Sequence, residues 1–441
     1  MSGELVAGGS VSVENGGAVA PSQAGPVEKT KKRTLTRRGV MWLGQTCNLR
    51  CYFCYFLNRI EDSSHPEHPF MSIEKTKEMC HTMRYFYGNT AIDIQGGEPT
   101  IYPDIHELVS YCREIGLIPT LITNGWALEK IEKVQKLKDA GVRDFLVSLH
   151  GIGDIHDEVV CRKGAYGKIT KAIENMAEVG VPFRFNCTMS KPVVPLLPEI
   201  ARKAVQYGAG AVNYIAFNPF EDQETGIRTH DNVAKYGDIM KSLGEAMDIL
   251  EEAGIECNVR YLPLCMAEEK HRKNFYNLQQ LSYDHHEWDY SSWFWTGAQP
   301  QRIKAGPLNV PYRIGRAARR LHLMDPHELL DNFEKHPVRW KFLYAVQDVF
   351  AKLGNLVLGK NYWYNREGKN RAAHDLQYQH HESCEKCSLR NICDGFHGDY
   401  ANFHGVDEAE PITDIPTVND PRYYINRQDK LVEEEDRSWA L

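Results

Sequence analysis

The chain has 441 residues, with 52 Lys and Arg against 59 Asp and Glu, for a formal net charge of −7. That balance argues against a general nucleic-acid binder, which is usually basic, and 42% apolar with 25% charged residues argues against bulk disorder. No run of about 18 apolar residues occurs and the N-terminus lacks a basic stretch followed by an apolar one, so neither a transmembrane helix nor a secretory signal is expected and the location expected is cytoplasmic.

Residues 1–35 are rich in Gly, Ala, Val, Ser and Pro without periodicity and read as a disordered tail. The basic stretch Lys29–Arg38 reads as a solvated junction rather than a contact for an anionic partner. From 36 to 254, short apolar runs alternate with amphipathic ones. The spacing predicts strands at Val40–Leu43, Ala91–Gln95, Ile118–Thr123, Asp144–Leu149, Pro182–Thr188 and Val212–Phe217. Helices are predicted at Ser72–Tyr87, Pro103–Ile115, Leu128–Ala140, Tyr166–Val179, Pro195–Tyr207 and Asn232–Ala253, each followed by a glycine (88, 116, 141, 180, 208 and 254) suited to a left-handed C-cap. Ser72 and Asn232 stand where N-caps belong. Six strand–helix units in series imply α/β architecture, a partial (β/α)6 TIM-type barrel whose chemistry gathers at the C-terminal ends of the strands.

The rhythm breaks from 255 to 405, a C-terminal extension. Ile255–Tyr261 suits a strand, residues 283–295 are crowded with aromatics, and helices are predicted at Pro326–Lys335 and Val338–Leu358. Residues 406–441 read as an acidic, loosely ordered tail.

Six of the twelve cysteines fall into two tight groups, Cys47/Cys51/Cys54 and Cys384/Cys387/Cys393. In a chain without secretory features such clusters point to metal rather than disulfides. The others (Cys80, Cys112, Cys161, Cys187, Cys257 and Cys265) are by default small buried apolar residues. Cys47-Asn-Leu-Arg-Cys51-Tyr-Phe-Cys54 directly follows the first strand. Three thiolates hold three corners of a four-iron cluster and leave one iron open; a structural zinc would draw a fourth ligand, for which His65 and His68 are candidates.

CxxxCxxC after the first strand resembles the cluster motif of the radical S-adenosylmethionine (radical SAM) enzymes, over about residues 38–255. Phe53 matches the aromatic that lies against the adenine in that family. Gly96-Gly97-Glu98-Pro99, after the second strand, matches the motif that binds the methionine amino group. Asn124 after the third strand, Ser148 ending the fourth and Asn186 in the fifth match polar contacts to ribose and carboxylate. The resemblance implies a [4Fe-4S] cluster with S-adenosylmethionine, its reductive cleavage to a 5′-deoxyadenosyl radical, hydrogen abstraction from an unactivated C–H bond, and a flavodoxin- or ferredoxin-like electron donor.

Cys384-Glu-Lys-Cys387, then Cys393-Asp-Gly395, resembles the auxiliary-cluster segment of the SPASM and Twitch subfamilies. The pattern departs from full SPASM: His397 stands where a further cysteine is usual, and Cys393 is the last cysteine of the chain. One auxiliary [4Fe-4S] cluster is therefore expected, with Cys265 as its fourth ligand, Cys257 as runner-up, and His397 or His404 as lesser alternatives.

Cys161 and Cys187 are candidate hydrogen donors and His150 a candidate proton acceptor, each weighed below a packing role; no catalytic acid or base is named. The aromatic stretch 283–295 suits an apolar pocket or a small local core, and Arg313, Arg316, Arg319 and Arg320 are read as solvated. The leading expectation is an oxidoreductase or rearranging enzyme acting on a small or medium biosynthetic molecule, apolar, pigment-like or sugar-like. The alternatives are a SPASM-type peptide maturase and a zinc-stabilised binding protein without catalysis.

Overall fold

Short runs dense in β-branched and aromatic residues, closed by turn residues, form the strands here. In the computed structural model the described residues are 38–54, 68–81, 83–84, 89–217, 228–284 and 376–431, with short stretches at 29–30, 287–289, 302–305 and 308–311 and scattered positions between 338 and 373. The six expected strands are β1 (Arg38–Trp42), β2 (Ala91–Gln95), β3 (Ile118–Thr123), β4 (Asp144–Ser148), β5 (Phe183–Met189) and β6 (Ala211–Ala216). Three more follow: β7 (Glu256–Arg260), β8 (Phe275–Tyr276) and β9 (Glu287–Asp289). They form one sheet in the order β9-β1-β2-β3-β4-β5-β6-β7-β8, parallel throughout and ending on different strands, so it does not close. This is an open, partial barrel. The boundary drawn at 254/255 therefore does not divide the sheet: the extension contributes both of its edges.

The crossover helices are α1 (Ile73–His81), α2 (Ile105–Glu114), α3 (Ile131–Ala140), α4 (Ala165–Val179), α5 (Leu197–Tyr207) and α6 (Tyr236–Glu252). Their apolar positions recur at helical spacing and face the sheet. On α5, Leu197, Ile200, Ala201 and Ala204 are buried, and each large side chain so placed stabilises by about 1.5–3 kcal/mol. Gly141, Gly180 and Gly208 cap α3, α4 and α5 in the left-handed conformation, and Gly88 lies outside the described residues. Ser72 Oγ accepts the Lys75 N–H at 3.3 Å, as an N-cap does. Asn232 does not cap a helix. Its Oδ1 accepts the Thr229 N–H at 2.9 Å within a turn, and α6 starts later, at Tyr236. An Asn side chain satisfies a turn as readily as a helix end.

The segment 406–431 is not a loose tail. Tyr424 and Ile425 are buried, and Gln428 donates to the Cys257 carbonyl at 2.6 Å. Ser388 N–H donates to the Ile412 carbonyl and Val418 N–H to that of Ser388, so this stretch straps the second cysteine group. The charged residues hid these few apolar anchors from a reading by composition. At the N-terminal ends of the strands, Asp144 accepts from Arg184 Nε at 2.7 Å, from Arg143 and from Thr120. A polar network at that end of a barrel serves stability rather than chemistry.

Candidate metal and cofactor sites

β1 delivers the chain into the first cysteine loop, which is clamped from several sides. Gln45 and Thr46 N–H both donate to the Pro69 carbonyl, Arg50 N–H to Val160, and Tyr52 N–H to Val159. The Tyr52 hydroxyl donates to Ser190 Oγ at 2.7 Å, just beyond β5. Cys47, Cys51 and Cys54 are half-buried at the C-terminal end of the sheet. Burial, then the Glu98 carboxylate, pushes the Cys47 thiol up to about 12. Burial and the neighbouring cysteines hold Cys51 well above its ordinary range. Such thiols keep their protons until a metal displaces them. Leu49 N–H already donates to Cys47 Sγ at 3.4 Å.

Two residues before Cys47, Gln45 is fully buried and neither end of its side-chain amide has a hydrogen-bond partner among the described residues. A buried orphan amide costs free energy unless something satisfies it. The donor set and this orphan fit a bound cluster with its ligand.

Gly96 and Gly97 have φ of 95° and 55°. A Cβ on Gly97 would stand 1.8 Å from the Thr46 carbonyl oxygen, and one on Gly96 2.7 Å from Leu43 N. These glycines let the β2 loop press against the backbone of the cysteine loop itself, and Glu98 N–H donates to the Thr46 carbonyl at 2.9 Å. Glu98, 1% exposed, is the hub. Its Oε1 accepts from Thr100 N at 3.0 Å, Thr100 Oγ1 at 2.5 Å and Thr123 Oγ1 at 2.6 Å, and its Oε2 from Asn124 N at 2.7 Å. Burial raises its pKa while these donors oppose the rise. Asn124 Nδ2 donates to Asn48 Oδ1 at 2.8 Å and lies 3.8 Å from Cys47 Sγ.

Ser148 and Asn186 are direct cross-strand partners and both are half-buried. Asn213 and Asn258 continue the same rung across β6 and β7, joined at 3.1 Å. Cys187, next along β5, turns the other way into the core, where burial raises its thiol pKa. Cys161 is exposed, its thiol donating to the Glu158 carbonyl at 3.5 Å. Phe53 meets the His150 ring edge-on at 4.5 Å. His150 does not suit the role of proton acceptor. Its Nδ1 accepts the Thr188 N–H at 3.1 Å, so the neutral ring carries its proton on Nε2, and burial lowers its pKa to about 3. His68 is exposed, and His65 lies outside the described residues.

The second group converges with the residue that follows β7. Cys265, Cys384, Cys387 and Cys393 line one cavity with His380 and Glu410. The four thiols ring one space, a donor set of the kind that holds an iron–sulfur cluster. Gly395 N–H donates to Cys393 Sγ and Ile412 N–H to Cys387 Sγ, both at 3.4 Å, and Glu410 N–H donates to Cys265. N–H donors of this kind stabilise thiolate ligands and tune a cluster's potential. Burial pushes Cys265 up to about 11. Cys257 is buried in the hydrophobic core. His397 caps a short helix through Nδ1, which accepts the Asp399 N–H at 3.3 Å, and its ring lies between Tyr261 and Tyr378; it is absent from the cavity wall. His404 Nε2 lies 3.3 Å from the Val233 carbonyl.

The model of the radical SAM superfamily matches residues 43–194, from the end of β1 past β5. The chain carries a radical SAM domain. It is an enzyme domain, and its superfamily works with a [4Fe-4S] cluster and S-adenosylmethionine. The chain is 32% identical to the Fe-coproporphyrin III synthase of Methanosarcina barkeri over 36% of this chain and 39% of that one. It is 30% identical to the AdoMet-dependent heme synthase of Oleidesulfovibrio alaskensis over 40% and 44%. It is 32% identical to the probable GTP 3′,8-cyclase of Methanococcus maripaludis over 40% and 58%. The chain thus spans 39% to 58% of the length of these curated relatives. Among solved structures, Streptococcus suis SuiB is 20% identical, with 51% of this chain and 49% of that one covered at a TM-score of 0.42. The radical SAM domain sets aside the reading as a zinc-stabilised binder without catalysis.

Three residues of consequence escaped the sequence reading. His380 joins the cavity wall, and the pair His380-His381 shortly before Cys384 was its signal. Gln45 gave no signal, since only burial reveals an orphaned amide. Glu410 lies in a stretch whose acidity read as solvation.

Proposed function

We propose that the chain is a radical SAM oxidoreductase or rearranging enzyme with one auxiliary [4Fe-4S] cluster held by Cys265, Cys384, Cys387 and Cys393, and its first cluster by Cys47, Cys51 and Cys54. The observation that carries this is the cavity walled by four thiols from two distant segments, beside a barrel that already offers a three-cysteine loop. When bound, the first cluster and S-adenosylmethionine supply one-electron chemistry that lets an unactivated C–H bond react.

The chain's own residues orient and shield. Glu98 holds the β2 and β3 loops beneath the cysteine loop, and its Oε2, with a single donor among the described residues, offers an acceptor to a ligand ammonium group. Asn124 and Ser148 present polar groups at strand C-termini, Asn186 one beside Ser148 within β5, and Phe53 an aromatic face. Buried side chains around the loop keep water from the reacting carbon. A flavodoxin- or ferredoxin-like protein is the proposed electron donor.

For the substrate we propose a small or medium biosynthetic molecule, with flat, apolar pigment-like molecules ahead of sugar-like ones. Two of the relatives, named for coproporphyrin and heme synthesis, support that order, as does the aromatic stretch 283–295, most of which lies outside the described residues. The test is anaerobic reconstitution followed by a deuterium-transfer screen: iron coproporphyrin and related tetrapyrroles, then sugars, then peptides. Label in 5′-deoxyadenosine from a tetrapyrrole supports the proposal. Label from a peptide alone gives the chain to the maturases and overturns it.

A further inference from the structure

Trp126 stands where the first cysteine loop comes to the surface. Its N–H donates to Asn124 Oδ1 at 3.0 Å, and with Cys47 and Cys51 it packs against the same three buried residues, Leu49, Val160 and Ala165. Two cations flank its ring: the Arg162 guanidinium at 5.1 Å and the Lys168 ammonium at 4.7 Å from the centroid. The loop is fastened to this corner, since Arg50 N–H donates to the Val160 carbonyl at 3.2 Å. The stretches that meet here, 47–51, 126–129 and 157–168, carry Arg50, Arg162, Lys163 and Lys168 against Glu129, Asp157 and Glu158. Two of those acids are engaged. Glu129 accepts from Lys168 at 2.5 Å, and Asp157 accepts the Gly164 and Tyr166 N–H groups at the start of α4. Glu158 is left exposed beside the exposed Arg50, Arg162 and Lys163.

We propose that this corner, with Trp126 at its centre and Arg50, Arg162, Lys163 and Lys168 at its rim, docks a small acidic electron-carrier protein. The proposal rests on the reading of the Cys47–Cys54 loop as the radical SAM centre and places the entry of its electron. One electron leaves the carrier's cofactor, which is oxidised, for the group held by the three cysteines, which is reduced. Position and charge select this occupant. Electron transfer weakens steeply with distance, so a carrier must settle where the loop meets solvent. An acidic carrier is repelled by a chain of net charge −7 as a whole and steered to a locally cationic corner. Trp and Arg are the residue types that most often anchor interfaces, and transient electron-transfer contacts need only a small patch.

The test compares two sources of electrons for the anaerobically reconstituted full chain, read as 5′-deoxyadenosine formed. Reduced flavodoxin must dock; dithionite, a small ion, need not. The double variant Arg162→Glu with Lys163→Glu should slow the flavodoxin-driven rate at low salt by about tenfold or more and leave the dithionite-driven rate unchanged. Calorimetric titration with flavodoxin should show the same loss of affinity, and salt should weaken binding to the unmodified chain more than to the variant. Arg202→Glu with Lys241→Glu, the same charge change at exposed positions of α5 and α6, should alter neither rate nor affinity. Flavodoxin binding untouched by the first variant, equal loss in the second, or equal slowing with both electron sources would overturn the proposal. So would a dimer that the first variant dissolves while flavodoxin binding persists, since the corner would then belong to a second copy. An unmodified chain that forms no 5′-deoxyadenosine with dithionite would instead strike the reading of the loop, and the titration alone would then score the docking.

Discussion

The backbone N–H of Asn124 donates to Oε2 of Glu98 at 2.7 Å, tying the loop after β3 to the loop after β2 through one buried carboxylate. The other oxygen takes three donors from Thr100 and Thr123. Glu98→Gln keeps the shape but turns an NH2 toward the Asn124 or the Thr100 N–H. The expected loss is about 1–3 kcal/mol, read by urea denaturation of the metal-free chain. Unchanged stability would show that the carboxylate serves only a ligand.

Gly97→Ala should be far costlier than Gly153→Ala. Both glycines have positive φ, 55° and 58°. Nothing lies within 4 Å of a Cβ on Gly153, whereas one on Gly97 meets backbone oxygen at 1.8 Å. Gly153, at φ 58° and ψ −133°, holds a backbone conformation nearly confined to glycine, so Gly153→Ala should cost about 1–3 kcal/mol from the backbone alone, with no clash. Gly97→Ala should displace the cysteine loop and lower iron retention after anaerobic reconstitution. Equal effects would contradict the packing role of Gly97.

Cys265→Ala should halve the iron of the reconstituted chain from about eight to about four atoms. Cys257→Ala should leave iron unchanged, because that thiol is buried in the core. Loss of iron in the second variant and not the first would exchange their roles.

The barrel and the first site were legible because their signals are local: strand–helix alternation, glycine caps and a motif within eight residues. The second site was legible in its residues, with Cys265 chosen over Cys257, His397 and His404, but not in its assembly. Cys265 lies more than a hundred residues from Cys384, and only the sheet, by placing the end of β7 beside the strapped 384–393 loop, brings them to one cavity. Gly96 and Gly97 entered the sequence reading only as part of a ligand-binding motif; the structure shows that the space they spare is filled by the chain itself. The order of 406–431 was missed because Val418, Tyr424 and Ile425 are three buried anchors in a largely polar stretch.

Acid should weaken the metal-free fold through His150 and His156. Burial lowers their pKa values to about 3 and about 4, below the ordinary value of about 6.5. Between those limits the unfolded chain binds protons that the folded chain refuses, so stability rises with pH. This contribution is complete above about pH 6.5 and is lost as pH falls toward 4, at up to about 1.4 kcal/mol per pH unit for each group. Urea midpoints from pH 7 to 4.5 check it, and the slope should shrink in His156→Gln. A flat profile would contradict the burial of these rings.

The most direct measurement is 5′-deoxyadenosine formed from S-adenosylmethionine by the reduced, anaerobically reconstituted chain. Cys51→Ala should bring it to the background of the protein-free control, while Cys384→Ala, which strikes only the auxiliary site, should leave cleavage clearly measurable. Cleavage at the unmodified rate by Cys51→Ala would contradict the assignment of that loop as the radical SAM centre.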